Sequence, residues 1–321
     1  MRINETLELI KDAKKIAILP HISPDGDAWG SCIALAILCD RFNVKSFIIA
    51  EEEDKSPTYD FIKKYHREII YSEYDINKYD LVIAVDCGDR YRMGKRLNIF
   101  EKAKNTINID HHITNDEYAD VNFVNTKSSS TAEIIYNIFK KIEIEISLDV
   151  ATCIYVGMNT DTGGFRYSNT SSTTLRIAAD LADVGVDIGV VNTAIYDNDT
   201  FSRINLMKEA LNSLKLYHDG KTAVIILDDV EMKKLGVLDS DYNGIIELAR
   251  GVSGVEVAVM IRKTVSGNCR VTLRAKSYAD VAILAQSFGG GGHCRASGFS
   301  YKSYSEEFFK ELLGKIEEIY N

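Results

Sequence analysis

The sequence predicts an α/β protein with a largely parallel sheet in its N-terminal domain and a smaller α/β domain at its C-terminus. Three observations carry this. Short apolar runs alternate with helical stretches through the first half, as strands joined by crossover helices do. In the second half, Val255–Ile261 and Cys269–Arg274 flank the turn-like Ser266-Gly267-Asn268, which reads as a strand pair. The length of 321 residues also matches two domains at about 100–200 residues each.

In order along the chain, residues 1–15 read as a short helix and Ile16–Leu19 as a buried strand. Ala28–Phe42 is helical, and Val44–Ala50, Asp80–Val85 and Thr106–Ile109 are strands. Ser130–Lys141, Leu148–Met158 and Thr173–Ala182 read as helices. Asp199–Tyr217 is helical and more charged, so residues 191–219 are expected to connect a domain of residues 1–190 to one of residues 220–321. Lys221–Leu227 opens the second unit, Ala279–Phe288 is a helix, and Gly289–Gly292 is expected to interrupt regular structure. A helix over Ser305–Tyr320 ends the chain, and no fixed-period repeat is present.

Composition excludes some functions. Lys plus Arg is 38 and Asp plus Glu 47, a net charge of −9, which argues against a broad duplex-DNA coat but allows a small nucleotide in one pocket. No apolar run approaches a membrane span, and Met1–Glu5 lacks the apolar stretch of a signal peptide. The cysteines (Cys32, Cys39, Cys87, Cys153, Cys269, Cys294) form no C-x-x-C, so a reduced, cytoplasmic protein is expected. No G-x-G-x-x-G follows the first strand and no G-x-S-x-G is present, which disfavours a dinucleotide dehydrogenase and a serine hydrolase.

Polar clusters sit where the strands end, the usual ligand position in parallel sheets. His21 follows the first strand, with Asp25 and Asp27 close behind in a glycine-containing turn. Two carboxylates two residues apart can face neighbouring ions, or cap the following helix. Asp86 follows Val85, and Asp110-His111-His112 follows Ile109. Asp161 lies in Asn159-Thr160-Asp161-Thr162-Gly163-Gly164, where an Asx turn is the alternative. Oxygen-rich donors with a few imidazoles suit Mn²⁺ or Mg²⁺, and a two-metal site can activate water and neutralise phosphate oxygens. In the second half, Gly290, Gly291 and Gly292 before His293 offer exposed amides for a phosphate or carboxylate. Arg262, Arg270, Arg274 and Arg295 add positive charge, and alternation puts Arg270 and Arg274 on one strand face. A flexible loop and a solvated strand face are the plainer alternatives.

His21-x-x-x-Asp25-x-Asp27, Asp86, Asp110-His111-His112 and Asp161 resemble the four motifs of the DHH phosphoesterase superfamily. Gly290-Gly291-Gly292-His293-Cys294-Arg295-Ala296-Ser297-Gly298 resembles the signature of its DHHA1 domain. The resemblance implies two divalent cations, Mn²⁺ first with Mg²⁺ or Co²⁺ as alternatives. It implies that His21 and Asp25 hold one, Asp27 and His111 the other, and that Asp86 and Asp161 are shared. His112 would contact the scissile phosphate with Asp110 behind a histidine. The C-terminal domain would bind substrate across a cleft from the metals, through the glycine run, His293 and an arginine matching Arg274. Ala275 replaces the usual following serine, and Cys294-Arg295 replaces the usual basic residue and Asn. Size and domain pair resemble stand-alone nanoRNases that also act on 3′-phosphoadenosine 5′-phosphate (pAp). Cyclic di-AMP or linear dinucleotide phosphodiesterases and a non-catalytic nucleotide-binding module are the alternatives. Expected partners are short single-stranded oligonucleotides, pAp or dinucleotides. Small related enzymes are often dimers, so a homodimer is compatible with the resemblance.

Overall fold

In the computed structural model, which describes residues 2–55, 57–66, 68–71 and 78–320, the chain divides into Met1–Asn198 and Asp199–Asn321. The first unit opens with α1 (Arg2–Asp12), β1 (Lys15–Leu19), α2 (Gly26–Arg41), β2 (Lys45–Ile49), α3 (Asp60–Lys63) and β3 (Ile69–Ile70). It continues with β4 (Leu81–Val85), α4 (Leu97–Glu101), β5 (Thr106–Asp110), β6 (Val121–Val124), α5 (Thr131–Lys141) and α6 (Leu148–Asp161). Helices α7 (Ser172–Val184) and α8 (Ile188–Tyr196) complete it. The strand order is β3-β2-β1-β4-β5-β6, with every described pairing parallel.

Every residue of β4 is buried, as continuous apolar runs covered on both faces require. Helix α2 is buried almost all round because it packs on the sheet and against α5 and α6. Gly30 permits this approach: a Cβ there would run into the Cys153 carbonyl. The helix begins at Gly26, two residues earlier than its apolar pattern indicates, because Asp25 caps it through the amides of Asp27 and Ala28 at 3.0 and 3.1 Å.

The second unit holds α9 (Phe201–Ser213), β7 (Lys215–Tyr217), β8 (Thr222–Asp228), α10 (Asp229–Lys234), α11 (Ile246–Arg250) and β9 (Val257–Lys263). After β10 (Cys269–Ala275) come α12 (Val281–Ser287), β11 (Gly291–His293), β12 (Ala296–Tyr301) and α13 (Glu306–Tyr320). Its sheet is mixed, in the order β11-β12-β10-β9-β8-β7, and only β8 and β9 pair in parallel among the described strands. Alternation along β9 sends Val257, Val259 and Ile261 into one apolar cluster and Ala258 and Met260 into another.

Two further details differ from the sequence reading. The expected connector is divided: α8 belongs to the first unit and α9 to the second, where Leu206 and Ala210 bury beside Ile225 and Leu227. The glycine run does not end regular structure, since Gly291–His293 forms edge strand β11 on β12. Gly290 and Gly292 lie too close to Gly298, Phe299 and Ser297 for a Cβ, and Gly292 has φ +136°, so glycine is needed for the pairing. Among the described residues, no helix is long and apolar enough to cross a membrane.

The α2–α6 contact yields a stability prediction. Gly30→Ala is expected to lower unfolding free energy by about 1–3 kcal/mol through overpacking. An unchanged urea midpoint with an unchanged slope would refute that close approach.

Candidate active site

The strand order reverses between β1 and β4, so their carboxyl ends open a crevice side by side. His21 lies just past β1 and Asp86 just past β4. Strand β5 ends at Asp110 and delivers His111 and His112 beside them; Asp27 enters from α2 and Asp161 from the end of α6. His21 Nε2 is 3.8 Å from Asp25 and 3.5 Å from Asp86. His111 Nε2 is 4.0 Å from Asp27, 3.6 Å from Asp86 and 3.6 Å from Asp161.

These donors form the trios His21/Asp25/Asp86, Asp27/His111/Asp161 and Asp86/His111/His112, with ligand atoms within 4.8 Å of one another. Asp86 faces both His21 and His111. Asp161, expected to be shared likewise, falls in the trio with Asp27 and His111 and also lies within reach of the charges of Asp86 and Asp25. Separations near 3.5 Å match two donors about 2.1 Å from one ion.

Several supports were not legible in the motifs. Asp27 is seated on the first turn of α5: Thr131 N donates to Oδ2 at 2.7 Å and Ala132 N to Oδ1 at 2.8 Å. The hydroxyl of Thr131 donates to Asp86 at 2.9 Å. Ser130 caps α5, and Ser128-Ser129-Ser130-Thr131 before an apolar run was the available signal. Gly157 leaves room for Asp27, since a Cβ would press on its carboxylate and on Ala132. Asp86 itself has φ +60°, a left-handed conformation that is uncommon away from glycine.

The histidines are oriented from behind. His21 Nδ1 lies 2.8 Å from the Ile22 carbonyl, which can accept only from a protonated Nδ1 and so leaves Nε2 facing the aspartates. Asp110 lies behind His112, not His111: Oδ1 is 2.7 Å from His112 Nδ1, and Oδ2 accepts from Asn115 Nδ2 at 2.6 Å. Gly88 makes room for that ring, for a Cβ there would meet the His112 imidazole. The His21 loop is braced by the buried Asp54–Arg96 ion pair, because Asp54 also accepts from Ser23 N at 2.8 Å.

The electrostatics favour cations. Burial, then the charges of Asp86 and Asp161, push the Asp27 carboxyl well above its usual range. Burial, then Asp86 and Asp25, do the same to Asp161. Burial alone would lower His21, but its bonds to Asp25 and Asp86 push it up to about 10. His112 is pushed up to about 9, its burial outweighed by the Asp110 hydrogen bond and the Asp86 charge. A buried carboxylate cluster with imidazoles at ligand spacing fits hard or borderline divalent cations.

The model of the DHH family, N-terminal domain, matches residues 15–158, and the DHHA1 domain model matches residues 219–321. The chain is a DHH/DHHA1 family protein. NrnA of Thermus thermophilus, a bifunctional oligoribonuclease and PAP phosphatase, is 26% identical over 98% of this chain and 94% of its own. Cyclic-di-AMP phosphodiesterase PdeA of Listeria monocytogenes is 23% identical over 97% of this chain but 48% of its own. The crystal structure of an exopolyphosphatase-related protein from Bacteroides fragilis matches with a TM-score of 0.88 at 26% identity, covering 98% of this chain and 96% of that one. Family membership and the donor trios together support divalent-cation binding and phosphoesterase activity on short nucleotides.

Within the DHHA1 domain the predicted arginines have different surroundings. Arg262 is buried: its Nε and Nη2 donate to Asp229 at 3.1 and 3.0 Å, and Nη2 donates to Asp239 at 2.7 Å. Its guanidinium also stacks 3.4 Å from the Tyr242 ring centroid. Arg262, expected beside substrate, is paired with Asp229 and Asp239 and covered by Tyr242. Arg270 is directly opposite it on β10, and Asp239 lies near both, 3.8 Å from Arg270. Arg274 shares the face of Arg270, with Nε 3.5 Å from Glu247. Arg295 donates to the Ala279 carbonyl at 2.5 Å. The backbone of His293 ends β11, while its side chain lies outside what the structure describes.

The Asp110–His112 pair generates a prediction. Asp110→Asn is expected to cut turnover about 10–100-fold while leaving bound metal unchanged, because it frees the His112 ring while leaving the trios His21/Asp25/Asp86 and Asp27/His111/Asp161 intact. Elemental analysis beside phosphoester hydrolysis checks this; metal loss would show that Asp110 maintains the trios instead.

Proposed function

We propose that this protein is a divalent-cation-dependent hydrolase that removes the 3′ phosphate of pAp and degrades very short oligoribonucleotides. The observation that carries the reading is Asp86, a buried carboxylate 3.5 Å from His21 and 3.6 Å from His111, and so common to two sets of donors. Likeness to NrnA over nearly the full length of both chains favours this substrate class over cyclic di-AMP, because PdeA is matched over about half its length.

In this reading His21 and Asp25 hold one cation, Asp27 and His111 the other, and Asp86 and Asp161 serve both, with Mn²⁺ the expected metal. The cations would supply Lewis-acid activation of a water and neutralise phosphoryl charge. His112, oriented through Nδ1 by Asp110, would donate to a phosphoryl oxygen and stabilise charge developing there. The glycine amides of Gly290–Gly292, His293, Arg274 and Arg295 are the proposed substrate-binding groups of the DHHA1 domain.

A Mn²⁺-supplemented hydrolysis panel of pAp, a linear dinucleotide, a five-residue RNA, cyclic di-AMP and pyrophosphate tests the reading. Turnover of pAp and the linear RNAs is expected; preference for cyclic di-AMP or pyrophosphate would overturn the substrate assignment. Asp86→Ala is expected to exceed the roughly 10–100-fold loss seen when a residue that only orients a ligand is removed. Near-parental turnover by folded Asp86→Ala protein at saturating Mn²⁺ would refute the shared role.

A further inference from the structure

The turn Arg90–Arg96 after β4 carries a guanidinium to the edge of the donor trios. Two interlocks place it there: Ile22 N donates to the Arg92 carbonyl at 2.7 Å, and Gly94, at φ +60°, packs its backbone against Ile22. The exposed side chain of Arg92 reaches across, with Nη2 3.2 Å from His21 Nδ1. That nitrogen already faces the Ile22 carbonyl at 2.8 Å, so its proton is directed there and it offers the guanidinium no lone pair. Neighbouring cations are otherwise engaged. Arg96 pairs with Asp54, Lys95 lies 3.6 Å from Glu53, and Arg90 lies over the Tyr118 ring. Among the described residues, no carboxylate lies within 4.0 Å of Arg92 in an ion pair.

Charge arithmetic gives this guanidinium a task. Asp25, Asp27, Asp86 and Asp161 carry −4 when ionised, which two divalent cations balance. A phosphate ester then adds about one or two negative charges, so anion capture needs further positive groups at the same place. A guanidinium with unengaged donors suits phosphate because two parallel N–H groups match two oxygens.

We infer that Arg92 is a substrate-binding residue of this centre that grips phosphoryl oxygens beside His21. The inference rests on the phosphoesterase reading above. It assigns to the DHH domain an anion contact independent of the arginines of the DHHA1 domain.

The test compares the parental full-length protein with Arg92→Gln, Arg92→Lys and Lys95→Gln at saturating Mn²⁺. Four quantities are measured: bound metal by elemental analysis, melting temperature, inorganic phosphate affinity by calorimetry, and kcat/KM on pAp. In Arg92→Gln, metal content and melting temperature are expected to stay parental while phosphate affinity falls at least tenfold. Arg92→Lys is expected to restore part of that affinity, as a point charge without the fork. Lys95→Gln, which removes an exposed cation of the same turn, is expected to stay within twofold of parental affinity. Loss of metal from Arg92→Gln would make the residue a brace for His21 and overturn the inference. So would parental phosphate affinity in that variant, an equal loss in Lys95→Gln, or a parental protein that binds no phosphate. Arg92-dependent phosphate binding without hydrolysis of any panel substrate would instead overturn the short-nucleotide reading and leave the Arg92 contact standing.

Discussion

The constraint on which the site depends is the seating of the Asp27 carboxylate on the first turn of α5. Both oxygens are held by backbone amides, at 2.7 and 2.8 Å, and the acid is wholly buried. A buried carboxylate without such partners would be strongly penalised. Here the amides at a helix N-terminus supply hydrogen bonds and a favourable dipole. The contact joins α2 to α5, and Gly157 of α6 completes the fit by presenting no side chain. Two glycines, Gly30 and Gly157, thus let three helices converge on one acid. The same turn places the Thr131 hydroxyl against Asp86, so one helix start orients a carboxylate from α2 and another from the end of β4.

A second brace acts on the opposite wall. Asp54 and Arg96 are both buried, and Asp54 accepts from the amides of Ser23 and Glu51 as well. Such a pair adds little net stability against a well-packed apolar substitute, but losing one partner strands a buried charge. Its value here is positional: it fixes the loop after β1 to the turn after β4. Those are the two segments that flank the strand-order reversal, so the brace holds the mouth of the crevice at the point where His21 and Asp86 meet.

How much of this was legible follows from sequence separation. The strands ending at His21, Asp86 and Asp110 announce themselves as apolar runs, and their parallel pairing follows from the helices between them. The short strands β3 and β6 lie at the sheet's edges and have no long apolar run to mark them. The motif residues could be named, yet what holds them could not. Asp27 and Thr131 are 104 residues apart, and no local pattern records their contact. Whether Asp110 serves His111 or His112 depends on side-chain torsions that the triplet does not encode. For Arg262, alternation gives the face of the strand but not its cover, and Asp229, Asp239 and Tyr242 supply that cover from other elements.

The glycine-rich signature shows why a motif's residue types can have two physical causes at once. Gly290 and Gly292 are required by packing alone, since β11 lies against β12 too closely for side chains. That requirement would hold in a domain that bound nothing. Yet the pairing also fixes the backbone that leads into His293, turning what composition reads as a loose loop into a defined edge. Arg262 shows the converse: a cation that composition reads as ligand-directed has Nε and Nη2 engaged by two acids and its face covered by a tyrosine. Arg92 carries no motif signal, but its guanidinium lies beside His21 of the donor trios, and among the described residues no acid pairs with it. Site membership therefore follows from which hydrogen-bonding capacity the fold leaves open, and residue type alone does not decide it.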